Sequence, residues 1–170
     1  MPKKNKYKAL CQAYKTGVEE CNNYRKECRE FAQELRSSLI ETLNCRETKV
    51  FMFQPTQGFI FKSSRLQGDA FDTEFADNGV ALIGFAINVN GDDPEDKFFT
   101  FIVTFTKEKE HFIFKILDDE KEFDSKEDDV TDFCEHIFEV AQKNLSERLK
   151  IFLKSPTEES APIGFKVNNQ

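Results

Sequence analysis

No window of this sequence approaches the ~18–20 consecutive uncharged apolar residues that a membrane-spanning helix requires. There is no CxxC pair, no GxxxxGKS phosphate loop and no GxSxG nucleophile elbow. Glycine is scarce, and Gly58, Gly68, Gly79, Gly84 and Gly91 stand isolated, which disfavours the glycine-rich turn of nicotinamide or flavin binding. There are two histidines. His111 follows the charged turn Glu108-Lys109-Glu110 and His136 sits on a helix beside Glu135 and Glu139, so both read as surface residues rather than acid–base catalysts. Met1-Pro2-Lys3-Lys4 is not followed by an apolar run, so no signal peptide is expected. No cofactor is implied.

Five cysteines are present, Cys11, Cys21, Cys28, Cys45 and Cys134. An odd count without a dense framework points to reduced thiols and a cytoplasmic compartment. Cys21 and Cys28 are about 10 Å apart along a helix, too far for a disulfide. Cys134 and His136, two apart on a helix, point away from each other and do not begin a zinc site.

The net charge is −7 and argues against a nucleic-acid partner. Its distribution is uneven. Between residues 118 and 135 stand ten acids against Lys121 and Lys126, a local balance of −8. The rest is near neutral, with a basic start at Lys3, Lys4, Lys6 and Lys8. An acidic segment of this kind offers a surface for docking to a basic partner.

Hydrophobic periodicity sets the elements. Tyr7, Leu10, Tyr14, Val18, Cys21, Tyr24, Cys28, Phe31, Leu35 and Leu39 recur in steps of three and four, so residues 5–45 read as one helix with Gly17 as a point of weakness. Residues 49–117 hold thirteen of the nineteen Phe and read as five antiparallel strands joined as a meander, because the connections are too short for parallel crossovers. Lys49–Gln54 and Phe59–Ser63 flank the turn Pro55-Thr56-Gln57-Gly58; Gly79–Asn90, Lys97–Lys107 and His111–Leu117 follow. Ile83, Phe85, Ile87 and Val89 align with Phe99, Phe101, Val103, Phe105, Phe112, Phe114 and Ile116 as core rows. Residues 125–154 form a second amphipathic helix, with Ser125 and Asp128 resembling a capping box, a stripe from Val130 to Phe152, and Pro156 beyond its end. Residues 155–170 read as a tail in which Ile163, Phe165 and Val167 offer an added edge strand. The class is therefore α+β, one domain over residues 1–154.

One length does not fit. A helix over residues 5–45 is roughly 60 Å long, whereas a domain of this size is about 40 Å across. The helix must break near Gly17, project to meet a partner, or lie beside the second helix. These features point to a non-enzymatic protein-interaction module (an adaptor, inhibitor, immunity factor or chaperone-like protein) that is dimeric through its first helix. The surface would comprise Tyr7, Leu10, Tyr14 and Val18, with Asp128, Asp129 and Asp132 as a second, acidic patch. Two alternatives remain open. Asp69, Asp72 and Glu74 in the 64–78 loop would serve a metal-assisted hydrolase, although their spacing is not that of a calcium loop. The mixed sheet face around Gly84 and Ile102 would serve a small-ligand binder.

Overall fold

Asn5 opens the first helix: its side-chain oxygen accepts the Lys8 amide at 3.2 Å. From there α1 runs unbroken over Lys6–Leu43, about 57 Å, straight through Gly17. It stops at Asn44, whose left-handed backbone (φ 47°, ψ 47°) lets its amide donate to Glu41 at 3.0 Å and the Cys45 amide donate to Ile40 at 3.2 Å. That pair of bonds closes the last turn as a Schellman motif.

The computed structural model describes residues 5–58, 73–91, 97–127 and 129–154. The expected strand at 59–63, Asp69, Asp72, Asp128 and the tail with Ile163, Phe165 and Val167 lie outside the described residues, as do the side chains of Leu149 and Phe152.

Among the described residues six antiparallel strands follow α1: β1 (Val50–Phe53), β2 (Glu74–Phe75), β3 (Ala81–Asn88), β4 (Phe98–Glu108), β5 (His111–Ile116) and β6 (Phe123–Asp124). β3 to β5 are consecutive as expected, β6 adds an unexpected short strand beyond β5, and β1 lies directly against β3. The register shows how β1 and β2 are related. Val50 to Phe53 face Ile87 back to Gly84, and Glu74 and Phe75 face Leu82 and Ala81. Both short strands thus occupy one edge of β3, in line, as a single edge strand interrupted between residues 54 and 73. Glu74 closes the base of that interruption by accepting hydrogen bonds from the Thr56 amide (3.1 and 3.2 Å) and the Thr56 hydroxyl. After a 3-10 turn over Ser125–Glu127, the second helix α2 spans Asp129–Lys154. Ser125 does not cap it. Its hydroxyl instead accepts the Phe112 amide at 2.8 Å, and Asp129 accepts the Asp124 amide at 3.0 Å.

The helices cover one face of the sheet. Val50, Met52, Ile83, Phe85, Ile87, Phe99, Phe101, Val103, Phe105, Phe114 and Ile116 are buried there against Cys28, Phe31, Ala32, Leu35 and Leu39 of α1 and Phe133, Cys134 and Ile137 of α2. Phe31 is the pivot. It stacks on Phe112 at 4.3 Å and meets Phe105 and Phe114 edge-on at 5.4 and 5.2 Å. Phe133 continues the ridge with edge contacts to Phe114 (4.9 Å) and Phe123 (5.1 Å). Val89, expected in the core row, lies beyond the end of β3 and is exposed.

The opposite face carries a smaller cluster of Phe53, Ala86 and Phe98, with Phe51 beside it. The Phe53 ring packs so closely on Gly84 that a Cβ there would lie 2.4 to 2.6 Å from its Cζ, Cε2 and Cε1 atoms. The space beside Gly84 is therefore filled by the chain's own side chain. No helix among the described residues is long and apolar enough to cross a membrane.

Gly84 consequently has a steric role. Gly84→Ala is expected to destabilise the fold by about 1–3 kcal/mol through displacement of Phe53. Urea denaturation should show the loss, and Gly84→Ala combined with Phe53→Leu should recover part of it.

Candidate interaction surface

The four apolar residues singled out on α1 lie together, on one line, in solvent. Tyr7 is 76% exposed, Leu10 69% and Tyr14 74%, with Val18 less so. Lower on the same helix the identical stripe is the core. Tyr7, Tyr14, Cys21, Cys28 and Leu35 follow one another at seven-residue steps; the first three face solvent or its edge, and the last two are fully buried. One face of one helix therefore passes from interior to exterior with its spacing unchanged.

The boundary is at Tyr24. Its hydroxyl donates to the Gly79 carbonyl at 2.8 Å, its ring meets Phe75 at 5.8 Å, and Arg25 lies over the Phe75 ring at 5.8 Å. One turn on, Lys107 reaches Glu27 at 2.8 Å. Below these contacts α1 is held by Arg36, which donates to the carbonyls of Val50 (3.0 Å) and Glu47 (2.8 Å). Above them nothing lies within 4 Å of the position a Gly17 Cβ would take. Residues 6–23 thus extend about 27 Å beyond the sheet.

The acidic patch is a different kind of place. Asp132 is exposed at the start of α2, while Asp129 is half-buried and bonded to the Asp124 amide. Asp128 lies outside the described residues. Several neighbouring acids have internal partners. Asp119 faces His136 (Oδ2 to Nε2, 2.6 Å) and Asp124 faces His111 (Oδ1 to Nδ1, 2.6 Å). The His136 bond holds the Asp119 carboxyl below its ordinary range, helped by the Lys121 amide; the Lys126 amide, then His111, do the same for Asp124. Each pair ties two elements: β5 to β6 through His111, and α2 to the turn after β5 through His136. Both histidines, expected at the surface, are instead half-buried clamps. Partners 13 and 17 residues away leave no periodic signal, so only the fold brings them together.

Little in the described residues offers catalysis. Burial pushes the Cys28 thiol up to about 11 and the Cys134 thiol up to about 12, so neither is a thiolate near neutral pH. Cys134 is hydrogen-bonded with Thr42, on the side of α2 away from the His136 contact. Among the described residues no group of three or more metal-ligating side chains converges. Of the three acids considered for a metal, only Glu74 is described, and its carboxylate is committed to Thr56. Comparison with protein-family models, curated proteins and solved structures found no match.

Two predictions follow from these groups. Asp119 and Asp124 have depressed folded-state values, so their stabilisation is present above the unfolded carboxylate value near 4 and is lost as pH falls through the folded one. Unfolding free energy measured from pH 5 down to pH 2 should fall, and Asp119→Asn should flatten part of that slope. Thiol labelling of the native protein at low concentration should modify Cys21 well before Cys28 and Cys134, which stay untouched until unfolding; equal labelling rates would refute the burial assigned to them.

Proposed function

We propose that this chain is a non-enzymatic protein-interaction module whose contact element is the free half of α1. The observation that carries this reading is the continuity of the stripe. The stripe residues from Cys28 to Leu39 are core because the sheet and α2 cover them, and the same face from Tyr7 to Cys21 has the spacing but no cover among the described residues. An exposed apolar row on a rigid, capped helix supports helix-face recognition, in which anchors at i, i+3, i+4 and i+7 seat against another apolar surface. The acidic start of α2 is a secondary patch in this reading, narrowed to exposed carboxylates such as Asp132. The five cysteines are free, which is consistent with the reducing, cytoplasmic compartment proposed for the chain.

The metal-hydrolase alternative has less behind it, since Glu74 is engaged in holding a turn. The sheet-face alternative loses the space over Gly84 to Phe53.

A tagged chain should capture either host proteins or an untagged copy of itself, and Leu10→Lys with Tyr14→Lys should abolish capture while leaving the circular dichroism spectrum intact. Neutralising Asp128, Asp129 and Asp132 to Asn should have the smaller effect. Capture that survives the α1 substitutions, or none by the unaltered chain, would overturn the reading.

A further inference from the structure

We propose that the occupant of the exposed α1 stripe is the same stripe of a second copy of this chain, paired antiparallel about Tyr14. The inference rests on the interaction reading above and gives it a partner and an orientation.

Charge decides the direction. Within the free segment, positive and negative residues lie at opposite ends. Lys6 and Lys8 stand in the first turns, Lys15 near the middle, and Glu19 and Glu20 at the end nearest the sheet. Lys6 and Glu20 are two heptads apart, close to four helical turns, so they lie on the same edge of the stripe. In an antiparallel pair centred on Tyr14, each copy's Lys6 comes within one turn of the other's Glu20, and this happens twice by symmetry. A parallel pair in register would put the two lysine-bearing ends level with each other and the two glutamate-bearing ends likewise, and would lose the Lys6–Glu20 pairing on the shared edge.

Shape gives the same answer. The antiparallel register puts Tyr14 against Tyr14 at the two-fold axis, Tyr7 level with Cys21, Leu10 with Val18, and Cys11 with Gly17. Gly17 has open space where a Cβ would stand, so it allows the opposing backbone to approach. The stripe is closed beyond residue 23 by Tyr24 and its bond to Gly79, which limits a paired helix to the free length. Overlapping two such lengths head to tail uses all of the stripe and leaves the two sheet domains at opposite ends.

Light scattering of the full chain over a range of concentrations should show a reversible dimer. Tyr14→Lys should be monomeric with unchanged helix content, because Tyr14 is exposed and no part of the core. Lys6→Glu should weaken dimerisation about tenfold, and Lys6→Glu combined with Glu20→Lys should restore it. Orientation is read by cross-linking: Tyr7→Cys in a Cys11→Ser background should, on oxidation, give a Cys21 bond to the introduced thiol of the other copy. Symmetric 7–7 and 21–21 bonds would overturn the antiparallel arrangement. A chain monomeric at every concentration that still captures a host protein through Leu10 and Tyr14 would sink this inference and leave the interaction reading standing. A monomer that captures nothing would end both.

Discussion

A capped α-helix without proline is stiff, and in this molecule that stiffness governs what the other elements do. Once Cys28, Phe31, Leu35 and Leu39 are seated on the sheet, the direction of α1 is set by that seat. Gly17 lowers the local helix propensity by about 1 kcal/mol relative to Ala, but a single glycine offers no alternative hydrogen bonds. Bending there would give up the i to i−4 ladder with no new apolar cover in return. The helix stays unbroken and its upper stripe is left in solvent. Tyr24, Arg25 and Glu27 then form a collar where helix and sheet part.

The sheet answers the same constraint from below. α1 and α2 occupy one face, so the Phe-rich rows of β3, β4 and β5 lie beneath them and Phe31 and Phe133 enter that aromatic layer edge-on. Antiparallel register forces alternate residues to the far side, where Phe53 and Phe98 are nonetheless buried. Gly84 sits between the faces. It is the one position on β3 where absence of a side chain lets a neighbouring strand's aromatic lie on the backbone, a role that isolated glycines in strands often play.

How much of this could be read beforehand depended on repetition. The stripe of α1 recurs over about nine turns, and the rows of β3 to β5 alternate over six to eleven residues, so class, element order and core rows were legible. β2 and β6 are two residues each, too short for any period to exist. Ser125 carries the local signature of a cap, yet the Phe112 amide across the β5 edge competes for the same oxygen and wins. The histidine clamps and the Phe53–Gly84 contact were invisible for a related reason: each joins residues whose proximity is a product of the finished sheet. The apolar surface residues were found because they share a period with the core, and the length mismatch alone indicated that they could not all be covered.

The chemistry of the free stripe differs from that of the buried one, and the difference bears on how it works. Leu35, Leu39 and Phe31 suit permanent burial, whereas the upper positions are Tyr7, Tyr14, Cys11, Cys21 and Gly17 beside Leu10 and Val18. A tyrosine ring buries apolar area while its hydroxyl stays hydrated, so it tolerates both the covered and the open state. Cys and Gly keep the seam narrow without the large exposed hydrocarbon of Leu or Ile at every step. Association also costs several kcal/mol in lost freedom, on the order of 4–15 kcal/mol, which a seam of this composition offsets less amply than a leucine zipper would. The acidic start of α2 shows the complementary case, with carboxylates bound to histidines and amides inside the chain. Part of the charge at that end is structural, whereas the charges along the free half of α1 lie on an exposed helix. A contact made there would be reversible, and its direction would be set by the few ionic residues at its edges.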